Sequence, residues 1–171
     1  MSLAKLASRL APLAVAVLLS ASLAGCAQAP NPAAGLTGEG GDANGPVTPG
    51  SARDFSVNVG NIVYFTTDST DLTPDAQNTL RSQAGWLGKY PQYTITLEGH
   101  ADERGTREYN LALGAKRSEV VRTFLASQGV GAARMRTISY GKERPVAVCD
   151  DISCWSQNRR VVTVLNQRPG T

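Results

Sequence analysis

Six stretches of the chain carry a hydrophobic pattern regular enough to predict an element. Ile62–Phe65 (IVYF) is a run of β-branched and aromatic residues, which predicts a strand. A polar loop, Thr66–Leu72, follows. Thr73-Pro74 then reads as a helix start, with threonine as N-cap and proline at the first helical position. Ala76, Leu80, Ala84 and Leu87 recur at helical spacing to about Tyr90, where Pro91 ends the element. Tyr93–Glu98 (YTITLE) alternates as a second strand, and Gly99–Thr106 is a loop. Glu108–Gln128 is a second helix, with Tyr109, Leu113, Val120, Phe124 and Leu125 near one face and Gly129 at its C-terminal end. On that pattern Tyr109 is a core residue. Met135–Tyr140 is a third strand, Gly141–Asn158 a long loop, and Arg160–Leu165 (RVVTVL) a final strand. The order β-α-β-α-β-β predicts an α+β or α/β sandwich, with helices packed on a sheet.

The segment before these elements cannot join a core. Ala27–Ala52 contains six glycines, four prolines and six alanines, the composition of a flexible tether. Its random-coil span is about 25–30 Å and its extended limit about 90 Å. Ahead of it, Lys5 and Arg9 precede a short apolar stretch, Leu10–Leu19, interrupted by Pro12. That stretch is too short to span a bilayer and leads into small residues, as a cleaved secretory signal does. Leu23-Ala24-Gly25-Cys26 resembles the lipobox of bacterial lipoproteins, in which the cysteine is acylated and becomes the first mature residue. The expected organisation is therefore a signal peptide over 1–25, a lipidated Cys26 and linker over 26–52, and a folded domain over 53–171.

This address changes the reading of charge and cysteine. Losing Lys5 and Arg9 leaves fifteen basic against fourteen acidic residues, a net charge of +1. No dense basic stripe interleaved with aromatics is present, so nucleic acid is not an expected partner. With Cys26 assigned to lipid, Cys149 and Cys154 remain in a disulfide-permissive compartment. A small disulfide loop is expected, free thiols are the alternative, and the Cα separation decides between them. The membrane is met through the acyl anchor alone.

Candidate chemistry concentrates in Leu97–Arg117, LEGHADERGTREYNLALGAKR. His100 is the only histidine, and no G-x-S-x-G elbow accompanies it, so a serine triad is not supported. Glu98, His100 and Asp102 alternate and would share one side of an extended chain, but a second histidine is missing and Gly99 interrupts. No metal site is therefore assigned. Asn110, Leu113 and Arg117 share a helix face. If the Gly99–Thr106 loop folds over that face, Asp102 and Arg104 approach Arg117. An acid beside a guanidinium suits a zwitterionic ligand, while a structural Asp–Arg salt bridge needs no ligand at all. The residues alone leave both readings open.

The segments GHADERGT (Gly99–Thr106), EYN (Glu108–Asn110), Leu113-Gly114, Arg117, SYGKERP (Ser139–Pro145) and NRRV (Asn158–Val161) resemble, in order, the signature of the OmpA-like C-terminal domain family in its peptidoglycan-associated lipoprotein branch. The resemblance spans about Ile62–Leu165. It implies an α+β fold with helices on a mixed four-stranded sheet, no enzymatic activity and no cofactor. It implies non-covalent binding of the peptidoglycan stem peptide through diaminopimelate, whose free end carries an ammonium beside a carboxylate. Asp102 and Arg117 match the residues that grip those charges. Arg104, Leu113 and Asp68 match further binding positions, with Asp71 and Asn110 as secondary candidates. TolB and the other Tol–Pal components are the implied partners, in envelope integrity and outer-membrane constriction at division. The implied location is the outer membrane, facing the periplasm, and Ala27 after the acylated cysteine agrees with that sorting. His100 then holds the GHAD turn, and Asn158, Arg159 and Arg160 read as structural. Two departures stand out. Thr67 occupies a position that is commonly aromatic, which puts a stacking or lid contribution in doubt. The CDDISC segment, Cys149–Cys154, differs from the commonest pattern.

Overall fold

The computed structural model describes residues 47–167, all within one compact unit. The expected signal peptide, Cys26 and most of the linker lie outside the described residues. The elements are α1 (Ala52–Asp54), β1 (Ile62–Tyr64), α2 (Pro74–Lys89), β2 (Tyr93–His100), α3 (Arg107–Ser127), β3 (Met135–Gly141), α4 (Ile152–Asn158) and β4 (Arg160–Gln167). A π-turn at Phe55–Val59 extends α1, and a 3₁₀ turn at Ala132–Arg134 leads into β3. Four helices and a mixed four-stranded sheet make up the fold, in the α+β class expected.

The sheet order is β1-β4-β2-β3. β4 runs antiparallel to both β1 and β2, and β2 runs parallel to β3. Parallel neighbours need a crossover, which α3 supplies. Along β2, Tyr93, Ile95 and Leu97 are buried and the residues between them half-buried, so the alternation read from YTITLE is the burial pattern observed. Those side chains meet Leu80 and Leu87 of α2, Val121 and Leu125 of α3, and Val161 of β4 in one core. α2 starts as the sequence predicts, with the Thr73 hydroxyl oxygen accepting from the Ala76 amide, while α3, expected from Glu108, starts at Arg107, where the Thr106 hydroxyl oxygen accepts from the Tyr109 amide. Each cap satisfies an amide that the first helical turn leaves without a partner.

Three expectations are corrected. The loop expected over Gly141–Asn158 ends in a helix, α4. Seven residues are too few to be stable alone. Here Asp151 caps the helix through Ser153 N at 2.6 Å, and a Cys149–Cys154 disulfide closes across a Cα separation of 5.7 Å. Next, the linker expected to run through Ala52 overlaps the fold. Gly50 accepts a hydrogen bond from the Tyr93 hydroxyl at 2.9 Å and donates one to Asp54, which also accepts from the Trp86 indole. The chain is thereby fastened at the start of β2.

The buried face of α3 is the third correction. It is Asn110, Gly114, Arg117, Ser118, Val121 and Leu125, rotated from the apolar face read from the sequence. Tyr109 is 51% exposed and is not core. The cause is how closely α3 approaches the sheet. A Cβ on Gly99 would stand 1.9 Å from the Gly114 carbonyl oxygen, so only glycines allow these backbones to meet. Small and polar residues therefore line the contact in the first half of α3, and apolar burial takes over only from Val121.

Candidate functional site

Three loops converge at the C-terminal ends of β1 and β2. The first, after β1, contains Asp68, the one non-glycine residue with positive φ among those described, at 52°. An aspartate tolerates this left-handed geometry better than most residues. The second follows β2, where the pairing with β3 shifts register at Gly99/His100 and turns the chain out of the sheet. The third brings Arg159 to the start of β4.

Arg117 holds these parts together from α3. Its guanidinium donates from Nε to the Ser69 carbonyl at 2.9 Å, from Nη1 to that of His100 at 2.9 Å, and from Nη2 to that of Thr66 at 3.2 Å. It is fully buried, with the Phe65 ring 5.2 Å away. Burial first, then the charge of Arg159, lower its pKa to about 10, so it stays protonated at neutral pH. Asp102 does not pair with it. The Asp102 carboxylate instead accepts from Arg104 through Nε at 3.2 Å and Nη2 at 2.7 Å, and from Arg159 Nη1 at 3.3 Å. Burial pushes the Asp102 carboxyl up, but the hydrogen bonds from Arg104 and Arg159 outweigh it and hold it below the usual carboxylate value.

Around these charges lies an open cavity of about 290 Å³. Asp102, Arg104 and Gly105 line one wall, Thr67 and Asp68 the other, and Tyr109, Asn110, Leu113 and Arg117 contribute from α3. Asp68, Asp102, Arg104, Asn110, Leu113 and Arg117 are thus brought together around one cavity. Asp71 is not among the lining residues; its amide donates to the Ser69 hydroxyl oxygen in the loop beyond. Asn110 ties the second loop to α3 through the Arg104 carbonyl at 2.6 Å.

Two contributors escaped the sequence reading. Tyr109 donates its hydroxyl hydrogen to Asp68 and bridges the two walls. The signal was its position in the first turn of α3, which faces the loops rather than the sheet. Arg159 keeps the structural role expected of it, donating to the Phe65 carbonyl, and is also the second cation on Asp102, buried with it. Both arginines of NRRV are buried, and the sequence does not say which of them reaches Asp102.

His100 is 2% exposed, and neither ring nitrogen has a hydrogen-bond partner among the described residues. Its Nε2 lies 4.0 Å from Glu98, and its ring lies against Tyr140 at 5.6 Å between centroids. Asp102 points elsewhere. Among the described residues no three histidine, cysteine or acidic side chains converge as a metal would require.

The OmpA family model matches residues 64–159, which include the two loops that line the cavity and α3. A peptidoglycan-associated lipoprotein from Agrobacterium fabrum is 65% identical over 156 residues, covering 90% of this chain and 87% of its own. One from Rhizobium meliloti is 63% identical over 157 residues, with 90% and 87% covered. Among solved structures, the peptidoglycan-associated lipoprotein from Burkholderia pseudomallei superposes with a TM-score of 0.61 at 47% identity, covering 62% of this chain and 90% of that one.

Proposed function

The chain belongs to the OmpA family and to its peptidoglycan-associated lipoprotein branch, whose members are non-enzymatic, and from that membership we propose that it is a lipid-anchored protein that binds the peptidoglycan stem peptide non-covalently through its diaminopimelate residue. The observation that carries this reading is the cavity that gathers two acids, Asp68 and Asp102, and two arginines, Arg104 and Arg117, around one small volume. A ligand end bearing an ammonium beside a carboxylate needs both signs within one small volume. Asp102 is ionised and held by hydrogen bonds before any ligand arrives, so little reorganisation opposes binding. Arg117 forms the floor. Three of its five donors hold carbonyls, and its charge acts on a ligand carboxylate through a medium of low dielectric. Leu113 supplies apolar contact to the ligand's methylene chain.

The anchor and the partners belong to the same proposal. Cys26 carries the acyl chains in the outer membrane after removal of residues 1–25, the Gly/Pro/Ala-rich segment spans to the domain, and the domain holds the wall. TolB and the other Tol components engage it at constriction. The fatty-acid mass of the Cys26 peptide tests the anchor, and a pull-down with purified TolB tests the partner. Co-sedimentation with isolated sacculi tests the site. Asp102→Asn is expected to weaken it while Asp71→Asn leaves it near wild type, and undiminished sedimentation of a folded Asp102→Asn, Arg104→Ala double variant would sink the assignment.

A further inference from the structure

Outside the cavity, one aromatic side chain takes hold of its wall from behind. Trp155, in α4, lies under the Arg104 guanidinium, whose central carbon is 4.2 Å from the ring centroid. The same indole donates its N–H to the Glu103 carboxylate. A single side chain therefore grips two consecutive residues of the 102–105 loop. This loop is otherwise exposed, and the Arg104 side chain is 41% exposed where Asp102 is 9%. The fork to Asp102 fixes one edge of this exposed arginine. A ring face that attracts the cation holds the plane of the guanidinium and with it the remaining edge.

What fixes the indole is equally specific. Cys154, the residue before Trp155, is bonded to Cys149, so the disulfide sets where the first turn of α4 begins. At the other end of α4, Asn158 accepts from the amides of Val146 and Ala147 and donates to the Ala147 carbonyl. Segment 146–158 is thus a stapled arm that ends on Arg104. The fork from Arg104 to Asp102 uses Nε and Nη2. That leaves Nη1 as the edge available to an anion.

We propose that Trp155, set in place by the Cys149–Cys154 disulfide, is a positioning residue for the cavity: it holds the Arg104 guanidinium so that its Nη1 edge reads the free carboxylate of the ligand. This rests on the wall-binding reading above and deepens it. Trp155 itself touches no ligand. Its contribution is preorganisation of an exposed arginine, and so it governs discrimination between a charged carboxylate and its neutral amide.

The test uses two probes, a stem tripeptide ending in free diaminopimelate and the same peptide amidated on the side-chain carboxyl. Titrations against the acylated protein in detergent give the affinity ratio of the two. Wild type is expected to favour the free acid about tenfold, the usual worth of one charge-assisted hydrogen bond. Trp155→Ala should bring the ratio near one with its melting temperature little changed, and Trp155→Phe, which keeps a ring face, should restore most of it. The Cys149→Ser, Cys154→Ser pair should lower the ratio and shift Trp155 emission to the red without any ligand present. Losses in Trp155→Ala and Arg104→Ala should be non-additive, as expected of one coupled unit. A folded Trp155→Ala protein with the wild-type ratio overturns the role of the indole, and an unchanged ratio in the serine pair overturns that of the disulfide. Wild type binding neither peptide instead overturns the wall-binding reading and takes this inference with it. If Trp155→Ala fails to fold, the Phe variant and the serine pair decide.

Discussion

Arg117 shows how one residue can carry structure and charge together. Three backbone carbonyls converge on its guanidinium, so Arg117→Ala would strip the donor from the buried His100 carbonyl and from the part-buried Ser69 and Thr66 carbonyls. A loss of about 3 kcal/mol or more is expected, read as a fall in denaturant midpoint. That makes it a poor probe of binding. Asp102→Asn is a cleaner one, since the amide keeps the shape and an acceptor for Arg104 and Arg159. It should lower affinity for sacculi roughly 10- to 100-fold, the worth of a charged hydrogen bond, with smaller destabilisation. His100 makes a different prediction. Burial, then the charges of Arg160 and Arg144, lower its pKa from 6.5 to about 4. The unfolded chain therefore binds the extra proton first as pH falls. The stability this neutral histidine contributes is complete above pH 6.5 and is lost progressively towards pH 4, by on the order of 3 kcal/mol at full extent. Melting curves of His100→Phe over that range should lack this component; an identical slope would show that other groups carry it. The motif residues themselves were legible in the sequence. Their pairing was not, because helical spacing places Arg117 on a face without saying that carbonyls, rather than Asp102, meet it there.

At the scale of elements, β1, α2, β2, β3 and β4 follow from alternation and caps almost residue by residue. The face of α3 did not. Its early turns carry Tyr109, Leu111 and Leu113 away from the sheet because Gly99 and Gly114 bring the two backbones together. Hydrophobic periodicity cannot report a contact made by the absence of side chains. Gly114→Ala should therefore cost about 1–3 kcal/mol, as overpacking does, although alanine is the better helix former. Thermal unfolding of that variant against Gly88→Ala, a helical glycine with open space around its Cβ position, isolates the packing effect. α4 was hidden for another reason. Seven residues carry no readable period, and a cap and a disulfide hold them. Reducing Cys149–Cys154 opens one short covalent loop. It should lower stability by about 2 kcal/mol, the entropy of so short a loop, leaving the β-sheet signal in circular dichroism intact.

Across the described residues, the cavity and the Gly50 turn sit at opposite ends of β2. Gly50 is fastened to Tyr93, where β2 begins, and Gln167 of β4 pairs with the same residue. Asp102 follows His100, where β2 ends. The eight residues between separate the two by about 25 Å. Strand β2 is central, paired over its length with β4 on one side and with β3 on the other. Tension between a ligand seated in the cavity and a tether leaving at Gly50 would run lengthwise along this strand. Its ladder hydrogen bonds lie across that direction and would be loaded together in shear, instead of being unzipped one after another. A domain pulled through these two points should yield at a higher force than the same domain peeled from its β1 edge, so the placement of a small turn at Gly50 sets how the fold bears a mechanical load.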